Sequence, residues 1–312
     1  MRDTVRKRVR KLLCILLFLF AAVLFCYFEN HAITVTEYRV EDHSLPASFD
    51  GTVILHISDL HNKTFGKQQD ELIRKMEQEK PDLIVITGDL VDSNHPDVEA
   101  AAVFVKKAVR LAPVYFVTGN HDNWLSDADT EALYRCLDEA GVLYLKDEVR
   151  VLARGESQIY LLGLDDDTLA FPSKLRETLA EMEQEIAQRQ KEEYPGGTES
   201  ADAEYPERTE SADAECPETF QILLAHEPQL FDYYADSDVN LVLCGHAHGG
   251  QFRIPFIGGF VAPDQGFLPT FTEGMHEKNG TRMLISRGLG NSVVPQRLLN
   301  RPELVKITLY HK

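Results

Sequence analysis

Cysteine is sparse in this chain, and its spacing excludes a disulfide framework. The five cysteines among 312 residues include no C-x-x-C pair. Cys14 and Cys26 share one apolar run, while Cys136, Cys216 and Cys244 stand far apart. They read as unpaired thiols in packing or tail positions. Basic side chains are also in short supply: 32 Lys and Arg face 50 Asp and Glu, giving a net charge of −18. Sequence-neutral nucleic-acid binding needs a basic face, so no nucleic-acid partner is expected. Tryptophan occurs once, at Trp124.

What basic charge exists is concentrated at the start. Arg2, Arg6, Lys7, Arg8, Arg10 and Lys11 precede a continuous apolar run from Leu12 to Phe28. A run of that length falls within the roughly 17–25 residues that span a bilayer. A cleaved signal peptide is the rival reading. No A-x-A site follows cleanly, since Glu29-Asn30-His31-Ala32 matches poorly, and there is no twin-arginine pair. The reading adopted is a basic cytoplasmic tail (residues 1–11) and a transmembrane anchor (12–28). Positive charge before the run keeps the N-terminus in the cytoplasm, so the body is expected on the other face of the cell membrane.

The body, residues 33–312, alternates short apolar runs with helical patterns, the sign of a layered α/β fold. Strands are predicted at 53–58, 83–87, 114–118, 159–162, 221–225 and 239–244. Helices are predicted at 69–79, 98–111 and 130–140, the last ending at Gly141 as a C-cap. Arg282–Ser286 and Leu304–Leu309 alternate enough to suggest a second sheet. One segment breaks the pattern. Glu193–Ala203 recurs almost verbatim as Glu204–Ala214, and a third copy breaks off near Thr219. The unit is acidic, proline-bearing and nearly free of large aliphatics, so it cannot offset chain entropy by burial. With the charged helix expected at 175–191, it reads as an acidic surface insertion over 177–218, disordered and not catalytic.

Polar motifs begin where predicted strands end. Asp59-Leu60-His61 follows the first strand and Gly88-Asp89-Leu90-Val91-Asp92 the second. Gly119-Asn120-His121-Asp122 follows the third. His226 closes 221–225, and Gly245-His246-Ala247-His248-Gly249-Gly250 follows 239–244. Ligands collect beyond the carboxyl ends of strands in open α/β sheets, so these five loops can converge. Carboxylates, an amide oxygen and neutral imidazoles suit borderline divalent ions such as Mn, Fe or Zn. Two such ions about 3.5–4 Å apart need a bridging ligand, and a carboxylate serves. The glycines beside Asp89, Asn120 and His246 permit tight turns and close backbone approach.

In order and spacing, these five motifs resemble the calcineurin-like metallophosphoesterases. Ile57–His61, Gly245–Gln251, Ile254–Gly258, Ser286–Gly290 and Arg297–Glu303 also resemble the membrane-associated YkuE/YaeI-like phosphodiesterase branch of that family. The resemblance implies a four-layer α/β/β/α sandwich behind an N-terminal transmembrane helix, with two divalent metal ions per chain. By it, Asp59, His61 and His248 hold the first metal, Asn120, His226 and His246 the second, and Asp89 bridges. His121 is then not a ligand. It stabilises the transition state and protonates the leaving oxygen, with Asp122 as the residue that could orient it. The implied activity is phosphoester hydrolysis, as a phosphodiesterase or phosphomonoesterase, with a metal-bridging hydroxide attacking phosphorus in line.

Weaker signals complete the reading. Arg253 and Arg287 are candidates for contacting a phosphate oxygen by bidentate pairing. Arg297 could do so too, although each arginine alone reads better as structural. Asp92 reads as a loop acceptor, Asp165–Asp167 as a solvated loop near the rim, and His56 as a core or interface histidine. Trp124 fits either the cleft wall or ordinary packing. An anchor favours a lipid-linked or envelope-derived substrate. The alternatives are a pyrophosphohydrolase acting on a substrate such as UDP-2,3-diacylglucosamine, and a non-catalytic metal-binding module. The second predicts eroded ligands, and all seven expected positions are intact. The residues say nothing of oligomeric state.

Overall fold

A computed structural model describes residues 2–193, 219–291 and 294–312. The acidic repeats from Tyr194 to Glu218 lie outside the described residues. One sheet comprises β1 (Thr34–Asp42), β2 (Val53–Ile57), β3 (Leu83–Thr87), β4 (Val114–Val117), β5 (Leu143–Tyr144) and the C-terminal β16 (Glu303–His311), in the order β1-β16-β2-β3-β4-β5. The other comprises β6 (Glu148–Arg154), β7 (Ser157–Gly163), β8 (Gln221–Leu224), β9 (Leu241–Cys244), β14 (Gly274–Lys278) and β15 (Thr281–Ile285), in the order β14-β15-β9-β8-β7-β6. Two short hairpins lie between β9 and β14: β10 (Arg253–Ile254) with β11 (Gly258–Gly259), and β12 (Val261–Ala262) with β13 (Gly266–Phe267).

The period-two alternation of the strands sorts their side chains into layers. In β3, Ile84 and Ile86 face α2 (Asp70–Gln78), α3 (Val98–Ala108) and α5 (Asp127–Ala140), forming one core with Leu72, Phe104, Val105 and Leu133. Leu83 and Val85 face the opposite way, into a core between the sheets with Ile222, Leu224, Leu241 and Leu243. The far side of the second sheet buries Leu162, Leu223 and Met283 against α7 (Pro172–Glu193) and α8 (Phe231–Tyr234). The result is the expected α/β/β/α sandwich. Its helix ends are explicable locally. Asp97 accepts a hydrogen bond from Ala100 N–H, Ser126 caps Asp129 N–H, and Gly141 closes α5 at φ 81°.

Two expectations need correction. Only one of the two tail strands joins the second sheet, where β15 lies parallel to β9. β16 enters the first, parallel to β1 and antiparallel to β2, and sends Val305, Ile307 and Leu309 into the core between the sheets. The insertion also starts later than 177. Leu175, Leu179, Met182 and Ile186 fall on one stripe of α7 and are buried in the outer core, so residues 177–193 form a packed layer element. His56 is fully buried, its Nε2 2.7 Å from Thr87 Oγ1, and burial lowers its pKa to about 3, so it stands neutral in the core.

Residues Arg2–His31 form one helix, α1, that is long and apolar enough to cross a membrane and is exposed along most of its length. Its last two turns are fastened to the body. Glu29 is buried, pairs with Arg301 at 3.0 Å and accepts from Asn300 N–H at 3.1 Å. Asn30 accepts from Arg297 N–H at 2.9 Å and donates to Pro295 O at 2.9 Å. Gln296 donates to Cys26 O at 3.0 Å.

Candidate metal centre

The loops after β2, β3, β4, β8 and β9 meet in one buried cluster. Asp89, directly after β3, lies at its middle: Oδ2 is 3.3 Å from His61 Nε2 and 3.3 Å from His226 Nε2. Ligand atoms of Asp59, His61, Asp89 and His248 lie within 4.8 Å of one another, as do those of Asp89, His226 and His246. Asn120 Oδ1 joins the second group, 3.2 Å from His226 Nε2. All seven expected ligands therefore gather into two sets that share Asp89.

Getting them there costs backbone strain. Asp59, His61, Asp89, His246 and His248 have φ between 45° and 64°, in the left-handed region. Each such residue costs on the order of 1–3 kcal/mol, offset by the surrounding fold. Two glycines make room. A Cβ on Gly88 (φ 83°) would sit 2.6 Å from His226 Nδ1, and one on Gly245 would sit 2.6 Å from Asp59 Oδ2.

The chemistry of the cluster fits cations. Among the described residues, His61 Nδ1 and Nε2 and His248 Nδ1 are buried without a hydrogen-bond partner, although such nitrogens are costly to leave unpaired. Burial opposes charge on Asp89, yet His226 and His61 hold its carboxyl well below the usual carboxylate range. Burial likewise opposes charge on His61 and His226, but Asp89 and Asp59 raise both. A field that draws protons onto these imidazoles draws a divalent ion to the same nitrogens. His248 goes the other way, held neutral by burial and by His61.

The ring orientations are fixed from behind. His226 Nδ1 lies 2.7 Å from Thr87 O, so it donates there and leaves Nε2 as the ligating atom. His246 Nε2 lies 2.9 Å from Asp264 Oδ2, which turns Nδ1 toward His226 Nε2, 3.1 Å away. A carboxylate behind a ligating histidine fixes its tautomer and raises its basicity. Asp264 was not legible in the sequence, since it sits in a loop without periodicity or motif.

A profile of the calcineurin-like phosphoesterases matches residues 52–250, which contain the five polar motifs that follow the strands. This chain belongs to that family. It is also 30% identical to a Bacillus subtilis protein described as the uncharacterized metallophosphoesterase YkuE, over 91% of this chain and 87% of the relative. Identity to the Escherichia coli phosphodiesterase YaeI is 26%, over 82% and 81%. A Danio rerio transmembrane protein with a metallophosphoesterase domain is 28% identical, over 88% of this chain and 57% of its own length. Membership makes the chain a metal-dependent phosphoester hydrolase with a binuclear metal centre.

Around this metallophosphoesterase centre several residues behave differently from expectation. His121 is buried, its ring 4.6 Å from that of His61. The residues that hold it are Ser93 and Asp92, not Asp122. Its Nδ1 lies 3.3 Å from the backbone N of Ser93 and 3.3 Å from Asp92 Oδ1. Asp122 instead accepts from the backbone N–H of Leu90, Val91 and Gly119, at 3.1, 3.1 and 3.0 Å. It ties the Asp89 loop to the Asn120 loop and does not orient His121. Asp92 also accepts from Asn94 N–H, as a loop acceptor should.

Arg253 and Arg287 are engaged by acids. Arg253 pairs with Glu273 and donates to Gly249 O at 2.9 Å, while Arg287 lies 2.9 Å from Glu303 and 3.5 Å from Glu273. Two half-buried cations held this way brace the loops after β9 and β15. Arg297 is fully buried, donating to the carbonyls of Gly290 and Arg287. Asp165 and Asp166 are buried, not solvated, because Asp165 caps α6 (Asp166–Leu169) and accepts from Asn123 at 3.2 Å. Trp124 is two-thirds exposed with its ring 5.4 Å from that of His121, which puts it at the mouth and not in a core.

Proposed function

We propose that this chain is a membrane-anchored hydrolase of phosphodiesters or phosphomonoesters whose two metal ions share Asp89. Asp59, His61 and His248 hold one ion with Asp89. Asn120, His226 and His246 hold the other. The observation that carries the reading is Asp89 Oδ2 standing 3.3 Å from a histidine of each set. Bound divalent ions supply an acidified water and neutralise charge growing on the phosphoryl oxygens. As general acid His121 acts in its doubly protonated form: it gives the Nε2 proton to the departing oxygen and is left neutral, keeping the Nδ1 proton beside Asp92 Oδ1, 3.3 Å away. Burial lowers its pKa, which makes the imidazolium a stronger acid, while the Asp89 and Asp92 carboxylates favour the charged form.

Chelator dialysis is expected to abolish turnover of bis(p-nitrophenyl) phosphate. Mn, Fe(II) or Zn should restore it, with activity saturating at two equivalents per chain. Saturation at one equivalent would overturn the paired-ion reading.

The basic residues in the first turns of α1, Arg2 to Lys11, favour a cytoplasmic N-terminus and a hydrolase beyond the membrane, where an envelope-derived or lipid-linked phosphoester is the natural substrate. A C-terminal alkaline phosphatase fusion is then expected to be active and a green fluorescent protein fusion dark. The reverse pattern would place the site in the cytoplasm.

A further inference from the structure

We propose that the loops between Arg253 and Glu273 rest in the interfacial layer of the bilayer. They would hold the mouth of the metal centre at headgroup depth, so that the enzyme takes its phosphoester from amphiphiles in that layer. The proposal rests on α1 spanning the membrane.

Single exposed apolar side chains are ordinary, whereas a contiguous patch marks a partner. Here Phe256 is fully exposed, Phe267 is 74% exposed, and Ile257, Leu268, Leu298 and Leu299 stand out beside them. The patch is one surface. Arg253 N–H donates to Leu298 O at 3.0 Å, Phe260 and Phe267 pack rings at 5.5 Å, and Leu299 shares a hollow with Ile254–Gly258.

Composition argues for lipid over protein. From Ile254 to Thr272 the only charged side chain is Asp264, which pairs with His246 at the rim and is 63% exposed there. Gln265 spends its amide on the backbone of Phe271. A protein interface would interleave Arg, Tyr and hydrogen-bonding groups. A surface that sinks into acyl chains does without them.

Position identifies the bilayer as the occupant. Gln296 donates to Cys26 O, and Cys26 lies two residues inside the apolar run that ends at Phe28, about 3 Å along the helix. The 294–299 loop is therefore held at the level where the anchor leaves the membrane, and Leu298 and Leu299 carry that level directly to the hairpins. The hairpins in turn form the rim of the site. They follow His248 directly, Phe260 N–H donates to Gly250 O at 3.1 Å, and Asp264 braces His246.

The test uses the full chain in phosphatidylcholine nanodiscs, with or without lipid brominated at acyl carbons 6 and 7. Trp124→Phe removes the only tryptophan, and either Phe256→Trp or Leu19→Trp supplies a new one. Apolar faces sink about 5–10 Å into the headgroup–acyl boundary, so the Phe256→Trp probe is expected to lose about half its emission to bromine, and Leu19→Trp at least as much. Quenching of Leu19→Trp alone overturns the docking and leaves the anchor standing. Quenching of neither overturns both.

Discussion

Asp89→Asn is expected to lower kcat/KM for bis(p-nitrophenyl) phosphate by about 10³-fold or more, equivalent to about 4 kcal/mol of transition-state stabilisation. The substitution changes one oxygen to NH2 and leaves the volume and the left-handed backbone tolerable, since Asn visits that region readily. It fails chemically. Asp89 Oδ1 accepts from His121 N–H at 2.8 Å while Oδ2 faces His61 and His226. An amide has only one acceptor atom. If that oxygen keeps the His121 bond, an NH2 points at both metal sets; if it turns to the metals, two N–H donors oppose each other. Elemental analysis of the purified variant should fall from about two metal ions per chain to one or none. A folded variant with both ions and more than a tenth of wild-type turnover would sink the role assigned to Asp89.

His121→Ala separates acid catalysis from metal binding. Its backbone N–H still bonds Asp89, so both ions are expected to stay. The loss in kcat should depend on the leaving group. With an alkyl leaving group it should reach about 10²–10⁴-fold, the usual worth of a positioned general acid. With p-nitrophenolate, which departs with little need of a proton, it should be at least about tenfold smaller. Equal losses on both substrates, or loss of an ion, would remove His121 from the proton-transfer role.

The interior of the fold could be read from the sequence, and its margins could not. Strands such as 83–87 and 241–244 are buried on both faces, so they appear as unbroken apolar runs. Within the two six-stranded sheets, the strands that the pattern missed are β1, β5, β6 and β14, which are their four edges. Edge strands carry charge and half-exposed faces that keep other chains away, as in Glu37, Arg39 and Glu41 of β1. Those same charges erase the signal. β16 was legible as a strand but was given to the wrong sheet, because its pairing with β1 joins residues from opposite ends of the chain.

The centre divides in the same way. Residues that would touch a metal stand just past strand ends, Asp89, Asn120, His246 and His248 beside glycines, and all seven converge. What holds them was hidden. Asp264 approaches His246 from a loop with no periodicity. Ser93 reaches His121 by spatial accident of the turn after Asp89. Asp122 and the two arginines carried plausible charge, and only their neighbours showed that three amides claim the first and two glutamates the others.

β16 lies between β1 and β2, so β1, the strand that follows α1, has no partner until Glu303–His311 are available. Synthesis therefore delivers α1 and β1 long before the strand that joins them to the rest of the sheet. The pairing of Thr34 with Glu303 is a contact of very long sequence separation, the kind that slows folding. A chain truncated before Glu303 would keep its apolar helix and its five metal loops but lose the strand that binds them into one body.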